Sequence, residues 1–473
     1  MPMAFGYRFY SVGGKGKIAQ LAVEKPIKQI KEAARNVPVM ADTDVLVVGS
    51  GPGGLAAAIS AAREGVDTIL LERSGCFGGN ITQAGVESIA WYRHKGTIDT
   101  QGIGIEFEQR AQQMGATDPE PQSCSQALNT ELFKVVADTL VQESGIRPIL
   151  HCYAVAAIAD GQTLKGVITE SKSGRQAILA KRIIDASGDA DIAHLAGAPW
   201  RMTPKKNLLG VTVSFAVSGV NRQRFLKHVG DDPATYKDWR VETTGKEDDL
   251  FSPYLSEPFK KAQKAGDIPE NVEIAGTWSR ISKQGDATYL NVVYMLGYDA
   301  TNVHDLTRGE IEGRKQALWA VDALKKYTPG FEQAALRNFG VALGIRESRK
   351  IIGQYNLTEA DVRHQGRFDD SIGIFPEFLD GYGTLILPTT GRYFQVPYGV
   401  LVPKVVENLL VAGRCISGDQ ISHAATRHMM CCALTGQGAG VAAAISIKDT
   451  VNCRQVNIAT LQKALKKRGV RLY

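Results

Sequence analysis

The chain lacks several features that would each have named a class. None of its seven cysteines (Cys76, Cys124, Cys152, Cys415, Cys431, Cys432 and Cys453) sits in a C-x-x-C pair. That excludes a thioredoxin-type redox disulfide and the usual iron–sulfur runs. An odd count of thiols fits a reducing compartment, so a cytoplasmic location is expected. Adjacent Cys431 and Cys432 could bridge only as a strained vicinal disulfide, and two small buried thiols on one helix are the expectation. No run of about 18 apolar residues occurs, so no membrane-spanning helix is expected. No basic run interleaves with the aromatics, which make up 7% of the chain; the net charge of +6 therefore speaks for anionic small ligands and against nucleic acid. No Cys, His and acidic cluster has metal-ligand spacing, so no metal is expected. Repeats and low-complexity tracts are absent too.

What is present fits a soluble globular chain. Hydrophobic residues are 44% and charged ones 22% of 473, enough for two or three structural units with a sizeable core. Residues 44–54 read Asp-Val-Leu-Val-Val-Gly-Ser-Gly-Pro-Gly-Gly, and a second apolar run, Thr68-Ile-Leu-Leu71, ends on Glu72. This is strand, glycine turn, helix, strand and acid, the order of a dinucleotide-binding unit. Gly49 permits the tight turn, Gly51 lets a pyrophosphate approach the backbone, and Gly54 lets helix and strand pack closely. Ser50, Pro52 and Gly53 complete the turn. The helix from Gly53 to Arg63 aims its N-terminal N–H groups at the anion. Glu72, with Arg73 beside it, is placed for a ribose hydroxyl pair. A second G-x-G-x-x-G is absent.

Three further segments carry a resemblance. Cys76-Phe-Gly-Gly-Asn-Ile-Thr82 puts Gly78, Gly79, Asn80 and Thr82 just beyond the acid. Ile183-Ile-Asp-Ala-Ser-Gly-Asp-Ala-Asp191 contains Ser187, Gly188 and Asp189. Asn408-Leu-Leu-Val-Ala-Gly-Arg414 ends on Gly413 and Arg414. The chain resembles the two-dinucleotide-binding-domain flavoproteins related to glutathione reductase. Asp305–Gln316, Leu343–Gly353 and Val396–Pro403 narrow the resemblance to the FAD-dependent oxidoreductase family, which includes the flavoprotein part of heterodisulfide reductase. It runs from about Asp42 to about Ile447. It implies FAD as cofactor, with those residues, Tyr153, Ala154 and Ser417 around it. Where the family carries Pro-x-Asp-x-His, this chain reads Pro376-Glu-Phe-Leu-Asp380, so no role passes through that histidine.

The expected fold is α/β, a Rossmann-like FAD/NAD(P)-binding fold with a discontinuous FAD domain and an α+β substrate domain. The FAD domain is expected at 42–85, 130–200 and 404–450, the substrate or cap domain at 86–129 and 201–403, and a tail at 451–473. Residues 1–41 form an arm with an aromatic start, Phe5–Tyr10, and a helix from Lys17 to Arg35. Early Lys and Arg, with no acid before Glu24, faintly suggest a presequence; an ordered arm packing on the body or a partner subunit is the expectation. Thr130–Glu143 reads as a helix, Leu150–Ile158 as a strand, and Val167–Leu179 as a hairpin turning at Ser173-Gly174. Gly210–Ala216 and Thr288–Tyr294 read as strands. Thr307 and Glu310 form a capping box that starts a helix ending at Pro329-Gly330. Residues 221–287 are charged and poorly periodic, a candidate lid.

Flavin chemistry needs two kinds of group. Reduction puts negative charge on the ring, which an arginine or a helix N-terminus stabilises. The resemblance puts an arginine at Arg427, and the loop Ser417–Ser422 precedes a helix bearing Gly436, Gly438 and Gly440. Oxidising an alcohol or amine also needs a base, and His423 and His428 are the candidates, with His423 on the loop nearest the expected flavin edge. Arg346, expected at a helix start with Glu347 and Arg349, belongs either to a structural ion network or to the substrate site; Glu377, Asp380 and Tyr393 are weaker substrate candidates. The expected function is a dehydrogenase or oxidase passing hydride from a small organic substrate to flavin N5. The alternatives are a C=C reductase fed by a partner electron carrier and a flavoprotein subunit of an electron-transfer complex. Substrate, oxygen or an electron-carrier protein remains as the electron source or sink, and homo-oligomerisation stays open.

Overall fold

The computed structural model describes residues 30–89, 92–94, 97–98, 100–120, 125–231, 254–278, 280–388 and 391–473. The Phe5–Tyr10 start, most of the expected arm helix, Cys124 and the middle of the expected lid lie outside them. Residues 30–37 carry no helix or strand, so the described end of the predicted arm helix, 30–35, is not helical.

The first sheet runs, in spatial order, Arg147–Ile149, Thr68–Leu71, Val39–Val48, Gly174–Asp185, Thr163–Ser171 and Tyr153–Asp160, with Leu409–Val411 also on Gly174–Asp185. Val45, Leu46 and Val47 are wholly buried, as befits a central parallel strand covered on both faces. The register aligns the strand ends: Val48 lies opposite both Leu71 and Asp185, Asp185 opposite Val411, and Leu71 opposite Ile149. All five strands therefore finish at one carboxyl edge, where open α/β sheets bind their ligands. The Gly174–Asp185 strand divides its flank. Residues 174–179 pair antiparallel with the hairpin strand Thr163–Ser171 and residues 183–185 pair parallel with Leu409–Val411. The hairpin turns at Lys172-Ser173, one residue before the predicted turn.

Helix Pro52–Arg63 covers this sheet, and helix Met429–Lys448 lies directly on that helix. A Cβ on Gly436 would overlap Gly53 O, and one on Gly440 would overlap Ala57 O. Small residues here let two backbones touch. Among the described residues, Met429–Lys448 is the one helix long and apolar enough to cross a membrane, and it is buried inside the protein.

The second sheet is antiparallel: Tyr254–Leu255, Ile274–Thr277, Ala287–Met295, Phe215–Ser218 and Ala335–Phe339, with Val211–Thr212 and Arg280–Ile281 also on Ala287–Met295. The described parts of the expected lid are thus partly built into this sheet. Helix Val303–Tyr327 packs on Ala287–Met295. It starts at Asn302, whose side chain accepts from His304 N and Asp305 N. Thr307, predicted as its cap, instead donates to Val303 O inside the helix. The predicted strand Gly210–Ala216 is broken into Val211–Thr212 and Phe215–Ser218.

The cores divide differently from the expected domains. One core joins the first sheet to Ile103, Phe107 and Leu128 and to Ile372, Phe394 and Leu401; the other spans Val211 to Ile345. The apolar core residues of 86–129 and 351–403 therefore belong to the first core, although Glu87 and Asp118 still reach Thr288 and Arg280 of the second sheet. The expected tail forms helix Ile458–Lys467, whose Leu461 and Leu465 are buried in the first core.

Candidate active site

Five loops leave the carboxyl edge of the first sheet and line a cleft. Gly49 turns with φ +94°, and a Cβ on Gly54 would overlap Gly49 O, so strand and helix meet backbone to backbone. Glu72 is buried and accepts from Ser50 N at 2.9 Å, Ser50 Oγ at 2.6 Å and Ser74 N at 2.8 Å. It thereby ties the first loop to the second. Buried Asp185 shapes the third: it accepts from Ser187 N at 3.0 Å and Ala193 N at 2.9 Å, which fixes the turn through Gly188 to Asp189. Burial pushes the Asp185 carboxyl up. Asp189 Oδ1 accepts from Ser348 Oγ at 2.6 Å and from Arg414 Nη2 at 3.2 Å. Arg414 Nη1 is buried without a partner.

The cleft is lined by Gly49, Ser50, Gly51, Pro52, Gly53, Glu72, Arg73, Gly79, Asn80, Tyr153, Ala154, Ser187, Gly188, Asp189, Gly413 and Arg414 as the sequence predicts. Gly54, Gly78, Thr82 and Ser417 do not line it. Gly54 is spent on helix–strand packing, Thr82 Oγ1 donates to Phe77 O at 2.6 Å and so closes the Gly78 turn, and Ser417 is wholly buried. Asp191, Cys152 and Cys432 line it and were not foreseen. Asp191 follows directly from the Gly188–Asp189 turn and could have been read with it; nothing local marks Cys152 or Cys432. The cleft is a backbone-walled cradle with an orphan guanidinium N–H, and it fits an extended dinucleotide with an anionic centre.

A second cavity of about 830 Å³ lies beside the cleft. Asn80, Ile345, Arg414, Arg427 and Met429 line both. Strand Ala287–Met295 supplies Tyr289, Asn291 and Tyr294, the first two alternating with buried Leu290 and Val292. That period-two pattern was the available signal for them.

Arg427 Nη2 donates to Asp380 Oδ2 at 2.7 Å, and its Nε has no partner. Burial works to raise the Asp380 carboxyl, but Arg427, His428 and Arg346 together hold it below its ordinary value. His428 lines the large cavity, with its ring 4.2 Å from that of Phe378. Its Nε2 is buried and unpartnered. Burial, reinforced by Arg427, depresses its pKa to about 3, so the ring is neutral.

His423 lies elsewhere. It sits inside helix Gln420–Thr426, is 1% exposed, and its Nε2 is 3.0 Å from Arg346 O. Burial and Lys350 hold its pKa well below the ordinary value. It lines neither cavity, so the reading of His423 as a base on a flavin-facing loop fails on geometry. Glu377 pairs with Arg392, and Tyr393 carries the Arg367 guanidinium 4.2 Å over its ring; both are outside the cavity. Residues Arg346–Arg349 form no helix but an irregular crossing between the two sheets. Glu347 takes Lys350 Nζ at 2.6 Å, Ser348 reaches Asp189, and Arg349 reaches Asp191 at 2.9 Å. Arg346 reaches the second sheet at Asn291, whereas Ser348 and Arg349 both reach the Asp189–Asp191 loop of the first.

The family described as FAD dependent oxidoreductase matches residues 44–465. Among curated proteins, the acrylate reductase flavoprotein subunit of Shewanella woodyi is 40% identical over 70 residues, 15% of this chain and 14% of that protein. The mitochondrial dihydrolipoyl dehydrogenase of Caenorhabditis elegans is 26% identical over 167 residues, 33% of this chain and 30% of that protein. The chain thus spans less than a third of the length of either relative. Among solved structures, a geranylgeranyl bacteriochlorophyll reductase-like protein of Thermoplasma acidophilum aligns with a TM-score of 0.45 at 13% identity, over 90% of this chain and 84% of that one.

Proposed function

Because the chain belongs to the FAD-dependent oxidoreductase family, we propose that it removes a hydride from a small organic substrate of alcohol or amine type seated in the 830 Å³ cavity. The observation that carries this reading is the wall shared by cleft and cavity at Arg414, Arg427 and Met429. A substrate there would lie against whatever part of the cofactor reaches that wall. Gly51 and the N-terminus of helix Pro52–Arg63 would hold the pyrophosphate, and Glu72 a ribose. FAD, when bound, supplies the hydride acceptor. Arg427, on the wall shared by cleft and cavity, would offer positive charge to a reduced flavin held there. His428, whose Nε2 has no protein partner, is placed to accept the proton of the substrate heteroatom, with Asp380 beside it favouring the protonated ring against the burial that disfavours it.

The test is anaerobic mixing of the holo-protein with alcohols and amines while the flavin absorbance is followed. Bleaching by a substrate of this type is expected. His428→Gln should slow it by roughly 10²–10⁴-fold with FAD content unchanged. A variant reduced at the parent's rate removes His428 from the reaction. The second reading, a C=C reductase fed by an electron-carrier protein, draws on the lack of a second dinucleotide motif. Bleaching by reduced carriers alone would favour it.

A further inference from the structure

The large cavity contains more positive charge than its own residues neutralise. Arg427 has Asp380 at 2.7 Å, and Arg414 has Asp189 at 3.2 Å. Arg346 has no acid. Its Nη1 donates to Gly210 O at 3.0 Å and to Thr212 Oγ1, its Nη2 to Asn291 Oδ1 at 3.2 Å, and its guanidinium lies 4.9 Å over the Tyr294 ring. All of these partners are neutral, and among the described residues no carboxylate lies within ion-pair distance of it. Glu273, the other acid on the cavity lining, is exposed to solvent. Arg346, Arg427 and Asp380 thus form a cluster with one cation in excess, and burial together with Arg427 works against the charge on Arg346. A cation held on neutral groups in such a place calls for an anion from outside the chain.

The cofactor is not the natural source of that anion. Arg414 and Arg427 line both cleft and cavity, whereas Arg346 lines the cavity alone. The backbone at Arg346 is also fixed, because His423 is hydrogen-bonded to its carbonyl. The rest of the lining is largely apolar or aromatic, with Trp278, Tyr289, Phe378 and Leu385 among it.

We propose that Arg346 is the anchor for a carboxylate, and that the substrate class is an organic acid with an apolar or aromatic body. The guanidinium fork receives the carboxylate, and the body fills the aromatic part of the cavity. Arg346 is then a specificity-determining residue. The proposal rests on the reading of this cavity as the substrate site.

The test is equilibrium binding without turnover. Oxidised holo-protein is titrated with benzoate and phenylacetate, and with their isosteric amides, benzamide and phenylacetamide, while the flavin's visible spectrum is followed. The acids should bind roughly 10- to 100-fold more tightly than the amides, the range of one charge-assisted hydrogen-bonded pair. That gap should close in Arg346→Gln and largely persist in Arg346→Lys. Equal binding of acid and amide by the parent protein, or binding of neither, overturns the proposal whether or not the variants fold. A gap that survives in Arg346→Gln takes the role from Arg346. The hydride reading is judged separately: a protein that prefers acids but is bleached by no alcohol or amine loses that reading and keeps the carboxylate site.

Discussion

His423 sits in helix Gln420–Thr426 and His428 just before helix Met429–Lys448, and both are neutral in the folded protein for the same reason of burial. Each has an ordinary value near 6.5 when exposed. Between its folded value and about 6.5, the unfolded chain binds a proton that the folded chain refuses. Stability from each is therefore complete above about pH 6.5 and is lost as the pH falls below it. Glu108 works in the opposite sense, because burial raises its pKa to about 7 and the folded chain keeps a proton that the unfolded chain gives up. The histidine contribution must be read as a difference between proteins. The melting temperature of the parent should fall more steeply than that of His423→Gln between pH 6.5 and 4.5; parallel curves would show that His423 titrates normally. Glu72→Ala should weaken FAD binding by about 1.5–3 kcal/mol, the worth of a hydrogen bond to a charged group, as measured by release on dilution. Roles set by local geometry were legible in the sequence: Gly49 needs a positive φ and Glu72 ends a strand. That His428 and not His423 would line the cavity was not, because which side chain meets a cavity is decided by packing from distant segments.

At the scale of elements, the close contact between helices Pro52–Arg63 and Met429–Lys448 is set by small residues. Gly440→Ala would place a methyl against Ala57 O. It should destabilise the protein by about 1–3 kcal/mol and lower its FAD content, because Met429 and Cys432 at the start of the second helix line the cleft. Thermal melting and flavin quantification check both; an unchanged melting temperature would mean that the helices can separate freely. Helix Thr130–Glu143 was legible to the residue, since Asn129 caps it and the apolar period is regular. The start of Val303–Tyr327 was misplaced because Thr307 and Glu310 mimic a capping box one turn inside a helix that Asn302 already caps. Arg346–Arg349 was misread as helical because its charges suit a helix surface, while their real partners lie in two separate layers.

At the scale of the molecule, the α/β class and the family were legible because one strand–turn–helix–strand unit specifies both. The division into cores was not, because residues 351–403 and the C-terminal helix return to the first sheet from far along the chain. A chain truncated after residue 403 would lose strand Leu409–Val411, Gly413, Arg414 and helix Met429–Lys448 together. It should retain no FAD after gel filtration even though the glycine turn is intact, and a yellow truncated protein would show that the cleft holds its cofactor without the C-terminal wall. The pairing of Leu409–Val411 with Ile183–Asp185 also orders events in time. During vectorial synthesis the nascent chain meets its cofactor with one wall of the cradle still inside the ribosome. Flavin capture should then close folding and not nucleate it, so added FAD should raise the yield of refolded holo-protein without accelerating the early kinetic phases, which stopped-flow refolding with and without FAD checks.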